Sequence, residues 1–254
     1  MIRDLAETFG GFVRTFGASQ LFFARLLAES PRVLLRPSLV SKQVYNAGAL
    51  SLVLIMVCGF FVGAVIGLQS YSNLARFGAE DQGGPFSALA LMKELGPVST
   101  ALLFAGRAGT ALAAEIGLMR VTDQLSAMEM MAIDPVVRVA VPRFLGGAFS
   151  LPLLVAIFTS VGILGAYVVG VPLMGLDSGA FWSEMKLGVA LADVWDGFFK
   201  SFVFGIATSL IAVWEGYNCQ PTAEGVGRAT TRTVVISAVV VLIFDFMLTT
   251  IEIT

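Results

Sequence analysis

The stretch that decides the fold is residues 93–135, which read KELGPVSTALLFAGRAGTALAAEIGLMRVTDQLSAMEMMAIDP. It begins with a charged pair, Lys93 and Glu94, inside an otherwise apolar segment, and it ends in a polar insert between two apolar regions. Charge at bilayer depth is costly and marks a substrate path or a buried partner. A polar helix held between membrane spans can bind a protein in the cytoplasm. Together the two features predict a transporter subunit that is driven from outside the membrane.

The composition is that of an integral membrane protein. Apolar residues make up 57% of the 254 residues and charged residues 13%, and the mean hydropathy is +0.85. Soluble domains carry about a quarter charged residues. The sequence contains no histidine, which excludes imidazole catalysis and most zinc sites. We expect no catalytic residue, no metal site and no nucleic-acid partner, and we expect Cys58 and Cys219 to be unpaired.

The apolar segments predict an all-α fold with five membrane-spanning helices in a single domain, residues 1–254. Four of the five segments are close to the roughly 20 residues that a bilayer requires, and the third is too long for one upright helix. The predicted spans are 47–68, 86–106, 144–172, 197–214 and 233–251. The third apolar region contains no charged turn, so one span bent at Pro152 is favoured over two separate spans.

Residues 2–16 predict an amphipathic helix at the membrane surface, within an interfacial region that extends over residues 1–46. Its apolar face consists of Ile2, Leu5, Phe9, Phe12, Val13 and Phe16. A phenylalanine-rich face with arginine opposite suits the headgroup layer, although a packed helix of a soluble cap would show the same period. The interfacial position is favoured because four basic residues follow before the first span.

Lysine and arginine are concentrated on one side of the five predicted spans, and this bias predicts the orientation. The N-terminus is expected to be cytoplasmic and the C-terminus to lie outside. Residues 173–196 would then form an outer loop, and Trp182 and Trp195 indicate one or two helices in it that rest on the membrane surface.

Lys93 and Glu94 are the strongest candidates for function within a span. Adjacent residues on a helix point about 100° apart, so the two cannot neutralise each other face to face. A substrate contact and an interhelical salt bridge are equally compatible with the pattern. The following Gly96–Pro97 pair is expected to kink or break the second span.

Two further features of the predicted spans have open alternatives. Gly59, Gly63 and Gly67 place small residues on one face of the first span, for close packing within a bundle or in a dimer. Asp245 lies inside the fifth span, where a structural hydrogen bond is favoured over a role in proton relay.

The polar insert predicts a cytoplasmic helix over residues 115–134. Its polar residues are spread around the helical wheel and are Glu115, Arg120, Asp123, Gln124 and Glu129. A helix that is polar on several sides suits a position where another protein grips it. Asp134–Pro135 marks its end, because the residue before proline is disfavoured in helical geometry. A plain solvated loop is the alternative, but it would be shorter and richer in turn residues.

The chain lacks the glycine-rich loop that binds ATP. AGRAGT at 105–110 and EGVGRAT at 224–230 resemble phosphate loops, but neither supplies the GxxxxGK[ST] pattern. If ATP drives this protein, another chain binds the nucleotide.

Residues 93–135, together with PTAEGVGRATTRTVV at 221–235, closely resemble the MlaE/YrbE family. Members of this family are the permease subunits of bacterial phospholipid ABC transporters linked to MCE proteins, and the resemblance covers nearly the whole chain. It implies a homodimer in the bacterial inner membrane that moves phospholipids between that membrane and a periplasmic MCE protein, maintaining outer-membrane lipid asymmetry. The implied partners are a cytoplasmic ATPase that holds ATP and Mg²⁺, a STAS-domain protein on the ATPase, and a hexameric MCE ring.

The resemblance also implies where substrate and ATPase bind. The residues assigned to substrate binding are Lys93, Glu94, Leu95, Leu68 and Tyr71. The residues assigned to ATPase coupling are Glu115, Gly117, Arg120, Thr122, Asp123 and Gln124. Two alternatives are an ion-coupled secondary transporter that uses Glu94, Lys93 and Asp245, and a membrane scaffold that transports nothing. A secondary transporter would be expected to contain inverted repeats, and none is evident in the sequence.

Overall fold

The computed structural model describes residues 2–253, without the side chains of residues 2–13, 16 and 253. The chain begins with a long helix, α1 (Ile2–Leu34), followed by α2 (Pro37–Ala47). α1 extends well beyond the predicted helix 2–16. The side chains that would form the predicted apolar face of residues 2–16 lie outside the described residues.

Five helical stretches in the described part of the chain are long and apolar enough to cross a membrane. They are span 1 (Pro37–Ala75), span 2 (Glu80–Val121), span 3 (Val136–Leu173), span 4 (Leu191–Tyr217) and span 5 (Ala223–Glu252). The predicted all-helical class and the predicted number of spans are therefore confirmed. The stretches are longer than predicted because hydropathy marks the part of a helix inside the bilayer, whereas backbone hydrogen bonding continues beyond it.

Span 3 lies at the centre of the bundle. Its main helix, α8 (Val141–Val168), contacts α2, α3 (Leu52–Ala75) and α10 (Leu191–Tyr217). α8 is a single helix with Pro152 in its interior, so this region forms one span and not two. α10 in turn packs against α11 (Ala223–Ile253), the helix of span 5.

Three glycines let α3 pack closely against α8. They are Gly59, Gly63 and Gly67, and all three are buried. A Cβ atom added to Gly59 would lie 2.9 Å from the carbonyl oxygen of Phe158, and one added to Gly63 would overlap the backbone of Gly162. These contacts leave no room for side chains. The row of glycines therefore serves packing within the bundle and not a dimer seam.

Span 2 alternates between α-helical and π-helical hydrogen bonding. Its segments are α4 (Gly83–Leu89), a first π segment (Ala90–Leu95), α5 (Gly96–Phe104), a second π segment (Ala105–Gly109) and α6 (Thr110–Val121). Of the kink or break expected at Gly96–Pro97, a break is excluded, since helical structure continues through it. Pro97 lies at the start of α5, and the wide turn before it accommodates a residue that has no N–H donor.

The cytoplasmic helix predicted over residues 115–134 is wrong as a single element. α6 carries span 2 on to Val121, a separate short helix α7 covers Gln124–Met130, and Asp123 between them has a φ of 55°. Aspartate is among the few residues that tolerate this left-handed conformation. No glycine or proline marks the turn, which is why the sequence pattern did not reveal it.

The outer loop predicted over residues 173–196 is shorter in the structure. The segment contains one helix, α9 (Ser178–Gly188), which includes Trp182; its position on the membrane surface stays a prediction. α10 begins at Leu191, not at residue 197, so Asp193, Trp195 and Asp196 belong to the first turns of span 4. Asp193 accepts a hydrogen bond from the Ala190 backbone N–H at 2.8 Å, and this cap allows the helix to begin early.

Candidate functional site

A fully buried lysine is the centre of a polar cluster at the end of the bundle where α10 begins. Lys200 on α10 is 0% exposed. Its Nζ donates hydrogen bonds to Glu94 Oε1 (3.2 Å), Thr249 Oγ1 (2.9 Å) and the Lys93 carbonyl oxygen (3.2 Å), and it forms an ion pair with Glu252 Oε2 (3.1 Å). Glu94 lies in span 2, whereas Thr249 and Glu252 lie in span 5. One ammonium group therefore joins three spans.

Lys93 forms a second set of ion pairs beside the first. Its Nζ lies 2.9 Å from Asp193 Oδ1 and 3.5 Å from Asp196 Oδ2, both on the first turns of α10. Lys93 and Glu94 therefore pair with different residues, as the angle between adjacent side chains requires. Of the two roles left open by the sequence, the structure shows the interhelical salt bridge. The Glu94 side chain is 41% exposed, so its ion pair with Lys200 leaves it accessible to other groups.

The cluster carries more negative than positive charge. We define the Lys200 cluster as Lys93, Glu94, Asp193, Asp196, Lys200, Asp245, Thr249 and Glu252. Asp245 is close enough to Glu94, Lys200 and Glu252 to interact with them electrostatically. Its Oδ1 is buried and makes no hydrogen bond among the described residues. The structural hydrogen bond expected for Asp245 is therefore not made through this atom.

The other residues assigned to substrate binding are distributed over two elements. Leu95 follows Glu94 in the first π segment and is 40% exposed, and Leu68 on α3 is 44% exposed. Tyr71, also on α3, is half-buried. α3 supplies none of the four groups that contact the Lys200 ammonium. The substrate-binding roles of Leu68, Tyr71 and Leu95 stay predictions.

At the opposite end of span 2, the chain exposes apolar side chains around a short helix. We define the 118–133 surface as Leu118, Thr122, Asp123, Gln124, Met130, Met131 and Ile133, all of them exposed. Met130 is 83% exposed and Met131 63%. Large apolar side chains grouped on a turn with polar neighbours are typical of a protein-binding surface.

Neighbouring elements hold the 118–133 surface in place. The Arg120 guanidinium donates to the backbone carbonyl of Tyr217, at the end of α10. Asp134 pairs with Arg25 of α1 at 2.7 Å, and its other oxygen accepts a hydrogen bond from the Val136 N–H at 2.9 Å. The base of the surface is thus tied to α1, to span 3 and to span 4.

The residues assigned to ATPase coupling fall into two groups. Thr122, Asp123 and Gln124 are exposed at the turn between α6 and α7. Glu115 pairs with Arg143 at 3.3 Å. Gly117 is buried, and a Cβ there would lie 3.1 Å from Cys219 Sγ. The first group is available to a partner, whereas Arg120, Glu115 and Gly117 make contacts within the chain.

Both cysteines are free thiols, as expected from the sequence. Cys219 lies in the turn between α10 and α11, where burial raises the pKa of its thiol. It serves as a small apolar side chain against Gly117 and Val226.

Lys200, Thr249 and Glu252 were not predicted from the sequence. A signal for two of them exists, since Asp245, Thr249 and Glu252 recur at intervals of four and three residues and so share one face of span 5. Lys200 lies only three residues inside the predicted span 197–214, so the sequence allowed it a position at the membrane surface.

Known proteins are similar to this chain over most of its length. The family described as Permease MlaE matches residues 40–251. The chain is 48% identical over 241 residues to the intermembrane phospholipid transport system permease protein MlaE of Haemophilus influenzae, covering 94% of this chain and 92% of that protein. It is 37% identical to a probable ABC transporter permease protein of Rickettsia conorii, over 98% of each chain. A probable ABC transporter permease protein of Synechocystis is 36% identical, over 82% of this chain and 79% of its own length. The chain therefore belongs to the MlaE permease family.

Proposed function

We propose that this chain is the permease subunit of an ABC transporter that moves phospholipids between the bacterial inner membrane and a periplasmic MCE protein, and so maintains outer-membrane lipid asymmetry. The observation that carries the proposal is the 48% identity to a protein named as the permease of an intermembrane phospholipid transport system, over 94% of this chain. The five spans are consistent with it, because a permease must cross the bilayer.

The assembly follows from the same family relationship. The permease acts as a homodimer, with its N-terminus in the cytoplasm and its C-terminus in the periplasm. A cytoplasmic ATPase binds ATP and Mg²⁺ and carries a STAS-domain protein, and a hexameric MCE protein lies on the periplasmic face. In this orientation the 118–133 surface faces the ATPase and the Lys200 cluster lies toward the MCE protein.

Span 2 connects the two surfaces physically. It runs as one helical stretch from Glu80 to Val121, with Lys93 and Glu94 near one end and the start of the 118–133 surface at the other. A displacement of α7 by the ATPase therefore reaches the Lys200 cluster through one continuous element. The two π segments are the places where this element can change its hydrogen bonding, because π turns inside helices are frequent at functional sites.

The Lys200 cluster has two properties that a lipid-handling site needs. Lys200 is fully buried and fixed by four groups, so it holds spans 2, 4 and 5 together. Glu94 and Asp196 keep 41% and 37% of their side chains exposed, so polar groups of a headgroup can reach them. The cluster thus combines a rigid base with an accessible rim.

The proposed function is tested by reconstitution with defined partners. The full chain is placed in vesicles with its ATPase, a fluorescent phospholipid and a soluble form of the MCE protein, and lipid transfer to the MCE protein is measured. We expect transfer that requires ATP and the ATPase and that an ion gradient does not replace. Transfer that an ion gradient drives without the ATPase would establish the ion-coupled alternative, and transfer that is the same without this chain would establish the scaffold.

A further inference from the structure

An open groove lies between α2 and α8, and its Phe149 wall packs against Phe202 of α10. Its volume is about 340 Å³, and it is lined by Leu34, Pro37, Val40, Ser41, Val44 and Phe149. The four α2 residues follow one another at intervals of three, one and three, so they share one face of the helix. Phe149 of α8 forms the opposite wall and is 40% exposed.

The position and chemistry of the groove suit a lipid chain. α2 is the first part of span 1 and precedes the apolar segment 47–68, so the groove lies at the headgroup end of this span. Its lining is apolar except for Ser41, whose hydroxyl donates to the Ser38 carbonyl oxygen. An apolar chain placed there leaves no polar group of the lining unsatisfied. Each methylene that it buries contributes favourably by the ordinary hydrophobic effect.

A basic residue lies next to the groove in the chain. Arg36 connects α1 to α2 between two residues that line the groove, Leu34 and Pro37. Arg36 is exposed, and it has no ion pair among the described residues. The sequence contains no acidic residue between Glu29 and Glu80. This end of the groove, which we call its mouth, is therefore positively charged, with nothing nearby in the sequence to neutralise it.

We propose that this groove binds an anionic phospholipid of the surrounding leaflet, with one acyl chain along α2 and the headgroup phosphate at Arg36. A headgroup with an additional negative charge or no ammonium is favoured, because an ammonium group would meet the same positive field. The bound lipid is a resident of the bilayer and not the transported molecule. The proposal requires only that span 1 crosses a membrane, so it stands or falls separately from the substrate of the transporter.

The chain supplies a matched control for Arg36. Lys42 is also exposed and lies on α2, but it is about 140° around the helix from Pro37 at about 100° per residue, away from the groove. Arg36→Gln and Lys42→Gln remove the same charge from the same end of span 1. Only the first removes it from the mouth of the groove.

The experiment places a fluorescent reporter in the groove. Trp182, Trp195 and Trp214 are replaced by phenylalanine, Phe149→Trp supplies the reporter, and the full chain is reconstituted in phosphatidylcholine vesicles. Brominated phosphatidylglycerol or brominated phosphatidylcholine is then titrated as a quencher. We expect the reporter at position 149 to prefer phosphatidylglycerol by about fivefold, to lose that preference with Arg36→Gln, and to keep it with Lys42→Gln. A control reporter made by Leu164→Trp, at a position 51% exposed on the same helix, should show no preference.

Each other outcome overturns the proposal. Equal quenching of the reporter at position 149 by the two lipids excludes an anionic lipid site. Equal effects of Arg36→Gln and Lys42→Gln show that the preference for phosphatidylglycerol comes from the general positive charge of this end of the protein and not from a site at Arg36. A reporter at this position that neither lipid quenches shows that protein covers the groove. Native mass spectrometry of the unmodified chain provides a second measurement without the tryptophan changes. There Arg36→Gln, but not Lys42→Gln, should lose bound phosphatidylglycerol about fivefold.

Discussion

The two ends of span 2 differ in what their side chains contact. At the Lys200 cluster, a buried ammonium group has four partners from two neighbouring spans. At the 118–133 surface, Met130 and Met131 are 83% and 63% exposed, so the described chain leaves most of their surface uncovered. Buried charge must be paired, whereas exposed apolar groups gain by being covered. The first end pairs its buried lysine within one chain, and the second exposes the surface to which we propose that the ATPase binds.

The largest effect on the first end of span 2 is expected from replacing Lys200. Lys200→Met removes the counterion of Glu94 and Glu252, and removing one partner of a buried ion pair costs about 3–5 kcal/mol. We expect a large loss of unfolding free energy in detergent, measured by thermal or denaturant unfolding.

Lys186→Met is the matched control for Lys200. Lys186 lies on α9 and is exposed, so the same substitution there should leave unfolding unchanged. Equal stability of the Lys200 and Lys186 variants would show that the Lys200 cluster does not hold the spans together.

Replacing Gly63 tests the close packing of α3 against α8. Gly63→Ala places a methyl group against the backbone of Gly162, and overpacking of this kind costs about 1–3 kcal/mol. Gly227→Ala on α11 is the control, since a Cβ there meets nothing within 4 Å and should leave stability unchanged or improve it by up to about 1 kcal/mol. The two are compared by thermal unfolding, and a neutral Gly63→Ala would mean that α3 and α8 are free to separate.

Replacing Glu94 tests whether the Lys200 cluster contributes to lipid transfer as well as to stability. Glu94→Ala should reduce ATP-driven lipid transfer about tenfold, equivalent to about 1.4 kcal/mol at the barrier. Assembly should survive, because Lys200 keeps Glu252 and Thr249 as partners. Transfer and ATPase co-purification are measured on the same preparation, with Asp81→Ala as the control at an exposed carboxylate of span 2 outside the Lys200 cluster. Unchanged transfer would make Glu94 a structural residue only.

The opposite end is tested at Asp123. Asp123→Lys should weaken retention of the ATPase about fivefold, because it reverses a charge on the 118–133 surface and places lysine in a left-handed conformation. Asp123→Asn keeps the tolerance for that conformation and should retain more ATPase. Co-purification is the measurement, and Asp81→Lys at the other end of span 2 is the control. Normal retention with Asp123→Lys would exclude this turn from the coupling surface.

Asp123 is a cleaner test than Glu115, which the sequence also placed in the coupling set. Glu115 pairs with Arg143 at 3.3 Å, so Glu115→Lys would set two cations side by side within the chain. A loss of ATPase binding in that variant would not separate docking from folding.

Sequence patterns predicted the fold better than the site. Hydropathy located all five spans, because it depends on the local composition of each helix. The turn at Asp123 was not predictable, since a residue that tolerates left-handed geometry is also common in regular helices and surface turns. The continuous helix at Pro97 was also not predictable, because a proline rule for α-helices does not anticipate a π turn before it.

The sequence by itself determined the class of this protein, the number of its spans, its family and the presence of two charged residues, Lys93 and Glu94, inside a span. These depend on composition and on motifs that are contiguous along the chain. Only the tertiary structure decided what those charges contact. Glu94 and Lys200 are 106 positions apart, and Thr249 is 155 positions from Glu94. A buried charge selects its partner by distance in space, and that distance is set only when the spans pack together.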